Sequence, residues 1–458
     1  MEDWTQTLGA GPLLGIAAAA VALLLILVIR FKVHAFLALV LVSLLTAFAA
    51  QVPPGEVVNT LLGGFGSTLA SVALLVGLGA MLGRLVEHSG GAKVLADTMV
   101  HAFGERRAPF ALGIASLIFG FPIFFDAGLI VMLPIVFAVA RRLRGPVLLY
   151  GFPAAAAFSV MHVFLPPHPG PVAATEFLDA NLGLVLLIGL VIAFPLWYVS
   201  GYLWGLRVGE KYPFPVPAIL GDVDRDEPVN PPKASTVIWL LLLPLVLIFM
   251  NTGLDALRAA ELVDGEATWF QVLRAIGSTP VALLISVFVA TLVLGHRRGE
   301  EGTALEKIID SSLGPVASVI LITGAGGMFG GVLRASGIGD ALADSLNDIG
   351  LPIIVAAYVI ALLLRVAQGS ATVALVTAAG LLAPAVADGS FSQMQIAAIV
   401  LAMAAGSVFA SHVNDSGFWL VGRLMGMDVK TTLKTWTVQQ ALQSVLGFIA
   451  VLVVYLIF

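Results

Sequence analysis

The chain has 458 residues, 59% of them hydrophobic and only 11% charged, with a mean hydropathy of +1.02. A soluble domain needs about 25% charged residues to cover its surface, so a large water-soluble core is excluded. Cysteine is absent, which removes disulfides, thiolate metal sites and cysteine nucleophiles, and the net charge of -5 says little where charges are confined to loops.

Apolar runs able to cross roughly 30 Å of hydrocarbon recur from end to end. They lie near 8–29, 35–52, 57–83, 108–140, 146–165 and 182–206. A second series lies near 234–252, 278–295, 308–333, 350–385, 392–412 and 436–458. The first run has no basic region before it and no clear small-residue cleavage site after it, and it reads as a retained helix.

The two series match each other. Ala70-Ser71-Val72, Gly77, Gly79, Met81, Gly83, Ser89-Gly90 and Leu95-Ala96-Asp97 return as Ala317-Ser318-Val319, Gly324, Gly326, Met328, Gly330, Ser336-Gly337 and Leu342-Ala343-Asp344. The offset is a constant 247 positions, and Ser159-Val160 and Ser407-Val408 continue the match at 248. Internal repeats of this kind are common in transporters. Between the halves, Arg207 to Lys233 is rich in proline and charge and reads as a cytoplasmic linker.

The fourth segment of each half decides how the halves are related. Residues 108–140 form one overlong helix or a hairpin that enters and leaves on the same side. Arg106 and Arg107 precede them and Arg141, Arg142 and Arg144 follow, and Lys/Arg marks the cytoplasmic face. Residues 350–385 are flanked instead by Asp340, Asp344, Asp348 and Asp388. The first segment is therefore expected to re-enter from the cytoplasm and the second from outside, with arms reaching about 22 Å each. Five spanning helices plus one re-entrant hairpin per half make two inverted repeats in an all-α polytopic membrane protein, with both termini outside. On this topology nineteen of the 23 Lys and Arg are cytoplasmic; Arg258, Arg274 and Arg334 are outside, and Arg365 alone is intramembrane.

Four polar or helix-breaking stretches interrupt the apolar background, two per half. Phe119 to Gly128 contains Phe121, Pro122 and Asp126 within an aromatic cluster. It reads as a hairpin tip with a functional carboxylate, or as a proline kink with a snorkelling acid. His162 to Pro171, which includes Pro166, Pro167 and His168, cannot continue a helix. Its carbonyls line a cavity or the stretch is an external loop. Arg365 to Thr372 places Gln368, Gly369, Ser370 and Thr372 at a turn, where helix-start N–H groups can face an anion. Arg365 is either a carboxylate clamp or a structural partner of Asp126 or Asp415. Ser411 to Trp419 offers Asn414 and Ser416 to substrate hydroxyls and His412 or Asp415 to a proton; the plainer reading is a polar cytoplasmic loop. His162, His168 and His412 are too dispersed to suggest a metal, and no metal or cofactor is expected. Amphipathic segments near 90–104 and 337–348 read as surface helices or as connectors between a fixed and a moving unit. The glycines before them, Gly77, Gly79 and Gly83 and their repeat partners, permit close packing or sliding.

At these stretches the chain resembles the gluconate permease family of proton symporters. The strings are FGFPIFFDAGLIVMLP (Phe119–Pro134), LPPHPGPVAA (Leu165–Ala174), AQGSATVA (Ala367–Ala374) and SHVNDSGFW (Ser411–Trp419). The resemblance runs over nearly the whole chain. It implies uptake of gluconate or a related sugar acid across the bacterial cytoplasmic membrane with protons, although some members carry other small hydroxy-acids or D-serine. The wider superfamily implies a homodimeric elevator mechanism. On that scheme, scaffold helices occupy 1–105 and 234–335, hairpin and transport helices 106–206 and 336–458, and the linker 207–233.

The expected substrate-binding set is Arg365, Gln368, Gly369, Ser370, Thr372, Asn414, Ser416, Phe121, Pro122 and His168. The expected proton-coupling set is Asp126, Asp415, His162 and His168. Partners are a small anion, protons, the bilayer and a second copy of the chain, with no nucleic acid. A sodium-coupled di- or tricarboxylate carrier of the same architecture remains a rival. A membrane-embedded enzyme is disfavoured because neither His-Glu-x-x-His nor Gly-x-Ser-x-Gly occurs, and a channel because opposed hairpins suit alternating access.

Overall fold

The computed structural model describes residues 4–217, 230–259, 262–341, 345, 351–412 and 415–458. The first half contains α1 (Ala10–Leu25), α2 (Ala35–Ala49), α3 (Pro54–His88), α4 (Gly91–Phe103), α5 (Ala108–Phe119), α6 (Phe125–Arg142), α7 (Val147–Phe164), α8 (Pro169–Phe177), α9 (Leu182–Trp197) and α10 (Trp204–Lys211). The second contains α11 (Ala234–Ala259), α12 (Thr268–Gly277), α13 (Thr279–Ala290), α14 (Gly302–Asp310) and α15 (Leu313–Ala335). It continues through α16 (Ile353–Gln368), α17 (Ala371–Asp388), α18 (Gln393–Ser407), α19 (Ser416–Leu424) and α20 (Val429–Ile457). Among the described residues, 9 helices are long and apolar enough to cross a membrane by length and composition. The protein is all-helical and polytopic.

Residues 108–140 are two helices, not one overlong helix. α5 ends at Phe119, Gly120 to Phe124 turn, and α6 begins at Phe125; both arms pack on α7. The segment 350–385 is likewise split between α16 and α17 at Gly369-Ser370. Gly369 holds φ +84, a left-handed conformation that a side chain would strain, so this turn requires glycine. The apolar run at 146–165 ends where expected, whereas the helix within 392–412 ends five residues before the run does. α7 stops at Phe164 and resumes as α8 at Pro169, and α18 stops at Ser407 before α19 starts at Ser416.

α7, α17 and α18 are apolar on all sides and buried along nearly their whole length, as the centre of a helical membrane protein must be. Leu37, Phe48, Val191, Trp239 and Phe288 on the surrounding helices are exposed, as suits a hydrocarbon solvent. α4 turns Ala92, Leu95, Ala96 and Val100 inward against α5. Half of its second-half counterpart, near 337–348, falls outside the described residues.

The most extensive helix contact among the described residues joins the halves, α3 against α15. At its centre a Cβ on Gly64 would collide with the carbonyl oxygen of Gly327, and one on Gly331 would lie 3.4 Å from the Gly64 Cα. Backbones touch here. Of the expected glycines, Gly324 serves this contact too, with Phe65 of α3 2.5 Å from an added Cβ, while Gly79 and Gly83 admit Pro167 and Ile123 at 3.0 and 2.6 Å, and Gly330 lies against Gly380 of α17 at 3.4 Å. The third helix of each half thus packs directly on the interrupted elements. Gly64→Ala must push α3 and α15 apart. It is expected to destabilise the detergent-solubilised protein by about 1–3 kcal/mol, the usual cost of overpacking. Thermal unfolding would check this, and an unchanged midpoint would mean the contact is compliant.

Candidate functional site

The interrupted elements meet at a cavity of about 400 Å³. Its wall takes Phe124, Phe125 and Asp126 from the start of α6, Ser159, His162 and Val163 from α7, and Gly369 to Val373 from the start of α17. Asp415, Ser416 and Gly417 enter from the start of α19, and Trp436 and Gln440 from α20. Three helices therefore point their N-terminal turns at one volume. First-turn N–H groups have no partner within their own helix, and the aligned peptide dipoles make such ends attractive to anions.

Arg365 ends α16 with a side chain only 4% exposed. Its guanidinium donates to the Gly369 carbonyl and to the Asp415 carboxylate, while its buried Nε has no partner among the described residues. Asp415 also accepts from the Ser411 hydroxyl and, at 3.0 Å, from the Gly417 amide. The Asp415 carboxylate thus caps its own helix and ties α19 to α16. Ser411 accepts in turn from the Trp436 indole at 3.1 Å. Of the two partners left open for Arg365 by the sequence, the structure selects Asp415. A free two-pronged clamp for a substrate carboxylate is not what Arg365 presents, because two of its three nitrogens are already engaged.

His162 and His168 face each other across the α7–α8 break with their Nδ1 atoms 3.3 Å apart. His168 Nε2 is 3.0 Å from the Gly120 carbonyl, which can only accept, so this nitrogen carries a proton. With both rings neutral, His168 Nδ1 accepts from His162 Nδ1, leaving His162 Nε2 with a lone pair. His162 lines the cavity; His168 sits behind it, 2% exposed. Ser370 caps α17 by accepting from Val373 N at 3.3 Å.

The cavity brings together eight residues expected from the sequence: Asp126, His162, Arg365, Gly369, Ser370, Thr372, Asp415 and Ser416. Three expected binding residues do not line it. His168 reaches it only through His162. Phe121 turns into a separate apolar cavity with Leu117 and Met161, and the Pro122 carbonyl lies against Gly83 of α3, because the tip's chain direction aims these two at neighbouring helices. Asn414 and the Gln368 side chain lie outside the described residues. His412 Nε2 lies 3.0 Å from the Val366 carbonyl, which can only accept, so His412 donates there and ties the α19 approach to α16. Sequence reasoning missed Ser159, Trp436 and Gln440. Among the described residues, no three His, Cys, Asp or Glu side chains converge as a metal would require.

Residues 12–457 match the GntP family permease. The chain is 41% identical to the "Inner membrane permease YgbN" of Escherichia coli, over 97% of this chain and 98% of the relative. The chain belongs to the GntP permease family. It is accordingly a multi-pass inner-membrane transporter and not an enzyme. It is also 36% identical to a gluconate permease of Pseudomonas aeruginosa, over 95% of each chain. Among solved structures, the Alcanivorax borkumensis YdaH transporter aligns with a TM-score of 0.60 over 93% of this chain and 98% of that one. At 16% identity this likeness speaks for the fold alone.

Proposed function

We propose that this permease imports gluconate or a closely related sugar acid together with protons. The observation that carries the reading is the charge in the cavity. Arg365 and Asp415 cancel, and Asp126, on the same wall, adds a carboxylate with no ion-pair partner among the described residues. A substrate anion arriving beside ionised Asp126 would place two unbalanced negative charges in a low-dielectric site. A proton on Asp126, delivered or held by His162, removes that cost, so anion and proton travel together. The first turns of α6 and α17 and the free Nε of Arg365 receive the carboxylate, since the α19 terminus is occupied by Asp415 itself. Ser370, Thr372, Ser416 and Asn414 meet hydroxyls. The choice of gluconate follows the relatives.

In this reading the α5–α6 and α16–α17 pairs are re-entrant hairpins of inverted repeats. They move with α7, α8, α18 and α19 as an elevator past a scaffold centred on α3 and α15, in a homodimer with both termini outside. Uptake into proteoliposomes tests it. Gluconate should accumulate under an inward proton gradient with choline as the only other cation, and faster than glycerate or D-serine. Uptake that requires sodium would instead favour a sodium-coupled carrier.

A further inference from the structure

A second polar set lies on the cavity wall, apart from the charges. α20 buries Thr432, Thr435, Gln439, Gln440, Gln443 and Ser444 on one face, at the three- and four-residue spacing of neighbouring turns. Buried amides are costly unless hydrogen-bonded, and most of this stripe is held by partners, Gln443 Nε2 alone having none among the described residues. Gln440 spends both of its hydrogens, on Ser159 Oγ at 2.9 Å and on Gln439 Oε1 at 2.6 Å. Gln439 donates onward to Gln443 Oε1 at 3.1 Å. The Gln440 amide is therefore fixed from behind, and its Oε1, which accepts from Ser159 Oγ at 3.3 Å, keeps one further lone pair.

Gln440 and Ser159 both line the cavity. What they turn toward it is acceptor capacity, with one rotatable hydroxyl hydrogen on Ser159 to share. Such a wall suits hydroxyl hydrogens and repels a carboxylate, which brings acceptors alone. Its place along the wall is also defined. Trp436, one turn earlier on α20, is joined through Ser411 to Asp415 and hence to Arg365. Gln440 lies about 6 Å further along the helix from Trp436, on the side away from that link to the charged cluster.

We infer that Gln440 and Ser159 form a hydroxyl-reading subsite that selects polyhydroxylated monocarboxylates, with Gln439 and Gln443 as positioning residues. The inference rests on the sugar-acid reading above and orients the substrate: carboxylate at the α17 end, carbon chain toward α20. It also excludes sugar diacids, whose second carboxylate would meet acceptors.

Binding of gluconate, glycerate and glucarate to the full-length protein in nanodiscs, measured by calorimetry, tests this. Gln440→Met keeps the length of the side chain and removes the amide. It should weaken gluconate about tenfold or more, the scale of a lost hydrogen bond with its unpaired partner, and change glycerate less than twofold. Ser159→Ala, too small a change to threaten folding, should act in the same direction. Gln443→Leu should lower the gluconate-to-glycerate affinity ratio as well, which a purely structural residue would leave alone. Wild-type protein should bind glucarate at least tenfold more weakly than gluconate. Equal losses for both acids in Gln440→Met and Ser159→Ala, or none for gluconate, would overturn the subsite while leaving the transport reading intact. Wild-type protein that binds no sugar acid would overturn that reading, and the subsite with it.

Discussion

Replacing Asp126 by Asn is expected to abolish proton-driven accumulation of substrate while sparing exchange of internal for external substrate. Asn keeps the shape of the carboxylate and cannot take up a proton, so the change is confined to charge. With position 126 neutral at every pH, the cavity holds only the balanced Arg365–Asp415 pair, and an anion can bind without a proton beside it. Counterflow, which needs only binding and reorientation, then continues. Accumulation above equilibrium, which needs the proton gradient to be coupled, stops. The same argument fixes the pH dependence. Wild-type affinity for the anion falls as pH rises and the bound proton becomes scarcer, whereas the Asp126→Asn variant shows a flat profile over the same range. Counterflow and gradient-driven uptake, measured side by side in proteoliposomes between about pH 5 and 8, separate these outcomes. Undiminished accumulation would exclude Asp126 as the proton carrier and leave His162, whose Nε2 keeps a lone pair in the histidine pair described above.

Much of the fold was legible because a bilayer leaves a chain few options: long apolar runs become helices, and their interruptions must be met by protein. The turn at Gly120–Phe124 was marked by Pro122, the α7–α8 break by Pro166 and Pro167, and the turn at Gly369 by its small neighbours. Hydropathy alone was weaker at the edges. α20 starts at Val429, before the run from 436, because Asp428 caps it by accepting from Thr431 N at 2.9 Å, and Lys430 and Lys434 hide its first turns. α12 and α14 were missed for the same reason, being short and amphipathic. Within the site, counting basic residues singled out Arg365, but sequence separation could not choose between Asp126 and Asp415 as its partner. Ser159 and Gln440 were hidden inside apolar-looking helices. The available signal was the stripe of hydroxyl and amide residues from Thr432 to Ser444, too regular and too polar to face lipid.

Arg365→Ala is expected to weaken substrate binding at least tenfold, about 1.4 kcal/mol, and to destabilise the protein by a larger amount. The second effect follows from Asp415. Its side chain is 12% exposed, and removing Arg365 strands a buried carboxylate, which typically costs about 3–5 kcal/mol. The two roles of Arg365 can be separated because they depend on different atoms. Its two terminal nitrogens serve Gly369 and Asp415, and its Nε is the one left for substrate. Pairing Arg365→Gln with Asp415→Asn removes both charges at once, and hydrogen bonds between the two amides can replace the ion pair. Thermal stability in detergent should then recover most of what the single substitution lost. Gluconate affinity should not, because the neutral pair offers no cation to a carboxylate. Recovery of both quantities would make Arg365 a strut for the α16–α19 junction. In that case the N-termini of α6 and α17 would hold the anion without it, using backbone N–H groups alone.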